Sequence, residues 1–291
     1  MAEQVSQSFE FDAYKPAQIA ARIEEAGVAK TKQDVLTTLM LAVLAGAYIS
    51  FGALFYTIAV TGSELGWGPT RLLGGIAFSL GLILVIVAGA ELFTGNALIV
   101  MAWADRKIGA RELFRHWGIV YVGNLIGAVG TAILVVLSGA MDLDSGAVGR
   151  TAALIASSKL ELGLTEAFFR GILCNVLVCL AVWLSYAGRS VIDKVAAIVF
   201  PITAFVGAGF EHSVANMYVI PAAALAGLVP FEPGPLLINL IVVSTGNIVG
   251  GAVLVALVYW LIFGRRRTGG RTYLHSALGS PETADRLAKS K

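Results

Sequence analysis

The chain has 291 residues, 57% of them hydrophobic and only 14% charged, and its 21 basic and 19 acidic side chains leave a net charge of +2. A soluble domain of this size carries about 25% charged residues. The balance excludes a disordered chain, a disulfide-stapled secreted scaffold and an ordinary soluble enzyme, and leaves an all-α integral membrane protein with several spans.

Residues 1–34 are polar and mixed in charge, so no secretory signal peptide is expected. Within them, 12–33 reads as a short amphipathic helix, with Ile19 and Ile23 set against Arg22, Glu24 and Glu25. Such a helix lies on the membrane or packs beneath a pore, as a cytoplasmic cap for the first span or as a gate. The membrane domain is expected over 35–264. Its stretches free of Asp, Glu, Lys and Arg are 35–63, 72–90, 92–104, 116–141, 171–188, 195–210, 212–231 and 233–264. About 20 apolar residues cross a bilayer core as a helix, so 35–63, 116–141, 171–188 and 233–264 serve as whole spans. The other stretches form two adjacent pairs, each interrupted by a single acid, Glu91 or Glu211. Each pair reads as one element broken near its middle. Six transmembrane elements result, the second and fifth discontinuous. Residues 265–291 are polar with a basic start, the composition of a mobile cytoplasmic tail.

Lys and Arg set the orientation. All of them except Arg71, Arg150, Lys159 and Arg170 fall in the N-terminal region, the loop after the second element, 189–194 or the tail. Both termini are therefore expected on the cytoplasmic side. Trp103, Trp117, Trp183 and Trp260 flank that same face, as interfacial aromatics do. Cys174 and Cys179 lie on different sides of one apolar helix, so no disulfide is expected.

The sequence also repeats itself. Gly89-Ala-Glu91-Leu-Phe-Thr94-Gly-Asn96 at the first break matches Gly209-Phe-Glu211-His212-Ser-Val-Ala-Asn216 at the second, both G-x-E-x4-N. Further on, Gly123-Asn124-Leu-Ile-Gly127 matches Gly246-Asn247-Ile-Val-Gly250. Each half, about 35–141 and 165–264, thus holds three elements with the middle one broken. Three is odd, so the halves enter the membrane from opposite sides as inverted repeats, an arrangement typical of transport folds. Close helix packing accounts for the paired glycines. It does not account for an acid and an amide repeated at membrane depth.

Ionisable groups in the hydrocarbon mark a pathway or a polar joint. Glu91 and Glu211 sit where helix continuity fails, and a carboxylate accepting from a half-helix N-terminus would support each break. Asn96 and Asn216 are the matching amides. His212 has no counterpart in the first half, where Leu92 stands. Its imidazole can donate to an anion or exchange a proton near neutral pH. Thr94 and Asn175 are its candidate orienting partners. His116 and His275 carry no such signal. Lys159 is either a solvated loop lysine or, in a re-entrant loop, an anion recruiter. Phe78, Leu82, Leu92, Phe93 and Phe205 near the breaks are core residues or apolar pore constrictions.

These motifs, with Gly171-Ile-Leu-Cys-Asn-Val-Leu-Val-Cys-Leu-Ala-Val-Trp183 and Tyr14-Lys-Pro16, resemble the formate/nitrite transporter family over about residues 12–264. The resemblance implies an aquaporin-like six-span channel assembled as a homopentamer, one pore per protomer, in a bacterial or archaeal cytoplasmic membrane. It implies His212 as central pore histidine, Thr94 as its loop threonine and Asn175 as its amide partner. It further implies Lys159 as the outer lysine and Glu211 as the acid beside the histidine, with Val178 joining the other five residues at the constrictions.

The expected function is pH-dependent channel or proton-linked transport of a small monovalent weak-acid anion, formate first. Nitrite, acetate, lactate or hydrosulfide are the alternatives within the family. A neutral-solute channel is a remote one, since no Asn is followed by Pro. The chain lacks H-E-x-x-H, G-x-S-x-G, P-loop and dinucleotide fingerprints, so neither an enzyme nor a cofactor or metal is expected. The expected partners are the anion, protons and the lipid bilayer, with no nucleic acid.

Overall fold

The computed structural model describes residues 13–264; the expected tail, 265–291, lies outside the described residues. Those described form helices and turns, with no strand among them. Helix α1 (Pro16–Lys32) begins on a proline, whose missing N–H is no loss in the first turn. Asp34 then caps α2 (Val35–Val60), accepting the Thr37 N–H at 2.9 Å. There follow α3 (Trp67–Ala88), a 3₁₀ turn (Gly95–Ile99), α4 (Val100–Ala104) and α5 (Ala110–Leu137). Next come α6 (Ala147–Leu160), α7 (Leu164–Ser185), α8 (Val191–Ala208), α9 (Ser213–Leu225) and α10 (Pro233–Ile248). The last helix continues to Gly264 through wider π turns over Val249–Leu257 and Trp260–Gly264.

Six helices are long and apolar enough to cross a membrane: α2, α3, α5, α7, α8 and Pro233–Gly264. Apolar side chains face outward as well as inward, and several amides lie in the core. Leu137, Ile192 and Phe200 are more than three-quarters exposed, whereas Asn124, Asn175, Asn216 and Asn247 are wholly buried. Lipid solvates the first set, and the second must find partners inside the protein.

The paired glycines bring backbones together. A Cβ on Gly127 would lie 1.9 Å from the Val43 carbonyl oxygen on α2, and one on Gly250 would lie 2.1 Å from that of Ile172 on α7. Any side chain at either position would push apart the spans that flank the breaks.

Two features depart from the sequence reading. The segment before α7, read as a loop, contains α6, a fourteen-residue helix that carries Lys159 in its last turn. Trp117 and Trp183 are buried rather than interfacial. Trp117 donates its indole N–H to the Asn96 carbonyl at 3.0 Å, and Trp183 stacks on Tyr259. Each has a partner inside the fold for its indole N–H or its ring face.

Candidate functional site: a polar joint between two broken helices

Helix α3 ends at Gly89 (φ +81°) and α8 at Gly209 (φ +73°), left-handed positions that suit glycine. In both, the next N–H reaches back five residues, Ala90 to Val85 at 2.8 Å and Phe210 to Phe205 at 3.0 Å. The chain then runs non-helically past Glu91 or Glu211 before helix resumes at Gly95 or Ser213. Backbone groups released at such a break need other partners, because lipid supplies none.

Two buried amides meet that need. Asn124 on α5 accepts the Phe93 N–H at 2.9 Å and donates to the carbonyls of Ala42 (2.7 Å) and Glu91 (2.9 Å). Asn247 on α10 accepts the Ser213 N–H at 3.0 Å and donates to the carbonyls of Gly171 (2.8 Å) and Glu211 (2.9 Å). Each amide thereby ties a break to the neighbouring span.

The carboxylates do not accept from half-helix N-termini, as the sequence led us to expect. Glu91 accepts from Lys30 at 2.9 Å and from the Asn96 amide at 2.7 Å, with His116 Nε2 at 3.5 Å. Glu211 accepts from Lys159 at 2.9 and 3.0 Å and from the Asn216 amide at 2.7 Å. A lysine and an amide satisfy a buried carboxylate more fully than one backbone N–H, and they cancel its charge. The fourth members differ: the Asn96 amide meets His116 at 3.1 Å, whereas that of Asn216 donates to Asn239 at 2.9 Å.

His212 caps α9. Its Nδ1 accepts the Ala215 N–H at 3.1 Å, so the neutral ring carries its proton on Nε2. That Nε2–H donates to Thr94 Oγ1 at 2.9 Å, joining the second break to the first and leaving the threonine hydroxyl hydrogen for another acceptor. Asn175 does not bond His212. Its amide donates to the carbonyls of Thr94 (3.2 Å) and Asn247 (2.6 Å), and its Oδ1 is buried without a partner.

Two cavities flank this joint. One, about 710 Å³, is lined by Phe78, Phe205, His212, Glu211 and Lys159, with Arg71 and Arg170. The other, about 480 Å³, is lined by Leu82, Leu92, Asn96 and Lys30, and α1 contributes to its wall. Phe78 and Leu82 lie four residues apart on α3, so about 6 Å of helix separates the two linings. Phe78 packs edge-on to Phe205 at 5.5 Å, and Phe205 stacks over His212. Phe93 and Val178 line neither cavity; Phe93 packs edge-on against Tyr121 and Trp117.

Lys30, His116, Asn124, Asn239 and Asn247 were not among the sequence candidates. A signal was present for most of them. The interval from His116 to Asn124 equals that from Asn239 to Asn247, and Lys30 precedes Leu41 as Lys159 precedes Arg170. Leu41 and Arg170 offer the carbonyls that accept the N–H groups of Glu91 and Glu211. Among the described residues, no cluster of His, Cys, Asp or Glu is placed to hold a metal ion.

Six apolar spans, two of them leading into breaks joined through buried amides, lysine–glutamate pairs and one histidine, define a helical membrane protein of the transporter class. The sequence model described as "Formate/nitrite transporter" matches residues 17–261, and the chain belongs to that family. It is 43% identical over 272 residues to "Formate channel FocA" of Escherichia coli (strain K12), covering 87% of this chain and 95% of the relative. A solved structure described as "Pentameric formate channel with formate bound" matches with a TM-score of 0.74 at 40% identity, covering 79% of this chain and 97% of that one. A second, an "FNT family ion channel", matches with a TM-score of 0.77 at 27% identity, covering 84% and 98%.

Proposed function

We propose that this chain is a pore for a small monovalent weak-acid anion, formate first and nitrite second, and that it performs no chemical turnover on its solute. The observation that carries the reading is the Thr94–His212 hydrogen bond, a polar contact between the two breaks with apolar walls on either side. The relatives named as formate channels support formate as the first choice.

In this reading the anion collects in the cavity of Lys159, whose ammonium has a third N–H beyond the two given to Glu211. The Thr94 hydroxyl, oriented by His212, offers the next donor. Phe78 with Phe205 on one side, and Leu82 and Leu92 on the other, pass the neutral acid more readily than the bare anion. His212 assists protonation of the anion, directly or through its field. A proton on Nδ1 would face the Ala215 N–H and cost the α9 cap, about 1 kcal/mol. That favours the neutral ring acting through Nε2–H. Asn175 holds the Thr94 backbone rather than the solute.

The two halves are inverted repeats in this reading, aquaporin-like in plan, with α1 and α6 as corresponding helices. The matched partners of Lys30 and Lys159 support that relation. Both termini face the cytoplasm of a bacterium or archaeon in this reading, which the Lys and Arg placement supports. The protein works as a homopentamer, like the pentameric relative. Stopped-flow uptake into proteoliposomes, with formate, nitrite, acetate, lactate and hydrosulfide in competition, tests the function and ranks the solutes. Water flux without anion flux would end it.

A further inference from the structure

Three cations line the cavity that contains His212: Arg71 from α3, Lys159 from α6 and Arg170 from α7. Lys159 is closed onto Glu211, and Arg170 is ion-paired with Glu166. Beyond a few ångströms each pair sums to nearly no charge, so neither draws an anion from a distance. Arg71 has no carboxylate within ion-pair reach among the described residues. Its Nε donates to the Gly207 carbonyl at 3.0 Å, and its guanidinium lies 5.9 Å from the Trp67 ring. The carbonyl end of α8 that it caps offsets roughly half a charge, which leaves the side chain net positive.

We propose that Arg71 is the residue that draws the anion into this cavity, while Lys159 acts only at contact. This rests on the anion-pore reading above and assigns its long-range capture to a different side chain. Arg71 contacts the terminal turn of α8 and lines the same cavity as His212, so the field it adds acts within that cavity. The carboxylate of Glu166 masks Arg170 in the same region. Capture is therefore set by how much cationic charge is left unpaired, not by how many cations are present.

Concentration-dependent formate flux into proteoliposomes tests this at low and high ionic strength. Arg71→Gln should raise KM about three- to tenfold at roughly 20 mM salt, with the gap closing near roughly 0.5 M. Maximal flux should change less than KM. Arg71→Lys, which keeps the charge without the planar fork, should recover most of the low-salt KM. Glu166→Gln unmasks Arg170 at a half-exposed position away from the core, and should lower KM at low salt. That variant decides the matter even where Arg71→Gln does not assemble. KM values equal to wild type in Arg71→Gln, or in Glu166→Gln, overturn the proposal, as does an Arg71→Lys as impaired as Arg71→Gln at low salt. If the wild-type protein passes no small anion, the pore reading itself has failed, a result distinct from any of these.

Discussion

Asn124 and Asn247 make the same three hydrogen bonds, one accepted and two donated, at the two breaks of the fold. Each amide takes the N–H two residues past the acid of its break, fills that acid's non-helical carbonyl, and adds a second bond to a carbonyl on the neighbouring span. In an apolar medium the Phe93 and Ser213 N–H groups and the Glu91 and Glu211 carbonyls have no water to fall back on. The breaks therefore persist because one side chain from a neighbouring helix completes each.

Replacing Asn124 or Asn247 by Asp keeps the shape but removes both donations. The Glu91 or Glu211 carbonyl left unpaired costs about 1–3 kcal/mol. We expect either variant to lower the thermal midpoint of detergent-solubilised protein by several degrees or more, and by similar amounts. A midpoint equal to wild type would show that something else holds the breaks.

His212 makes the bond that caps α9 and the bond to Thr94 to which the proposed pore gives a function, and two substitutions separate them. Asn is a good helix N-cap, so His212→Asn should leave stability within about 1 kcal/mol of wild type while losing the contact to Thr94. The pH dependence of formate flux should then be abolished or transformed. His212→Phe should lose stability as well. An unaltered pH profile in His212→Asn would sink the role given to the histidine.

The Lys159–Glu211 pair is mostly buried, the lysine at 15% and the glutamate at 5% side-chain exposure. Removing one partner strands the other charge, which costs about 3–5 kcal/mol, whereas removing both is far milder. Lys159→Met should therefore destabilise more than Lys159→Met with Glu211→Gln. A double-mutant cycle read by thermal unfolding measures the coupling. Additive losses would mean that the pair is not coupled in the folded protein.

Asp34 lies just ahead of the first span. Hydrogen bonds from Thr37 hold its carboxyl below the ordinary 3.8. A carboxyl lowered on folding contributes its stability above the unfolded value and loses it as pH falls through the folded value. The start of α2 should thus hold at neutral pH and loosen below pH 3.8, which amide exchange at Thr37 would report. Asp34→Asn should remove that acid sensitivity.

The spans and their interruptions were legible because charge is excluded from lipid, so Glu91 and Glu211 stand out against long apolar runs. The glycine at each break was legible as part of a repeated motif. The partners of the acids were not, since Lys30 and Lys159 reach them from helices far away in the chain. The amides of Asn124 and Asn247 were visible as a second repeat, but what they bind is backbone, which has no signature in sequence. His116 looked ordinary because its meaning comes from Asn96 and Glu91, both distant in sequence. Helix α6 was missed because its small residues and polar flanks lack the long apolar run that marked the spans.

The bonds at the joint also constrain how the protein can move. His212 grips Thr94, and Asn175 grips both Thr94 and Asn247, so side chains of the second half clasp the first at its centre. Rocking one half against the other would shear these contacts together in a setting with no water to replace them. In the proposed pore, motion that admits the solute would then fall to smaller parts, such as the rings of Phe78 and Phe205 or the helix over the opposite cavity. On that reading the centre is a fixed rivet around which traffic would pass.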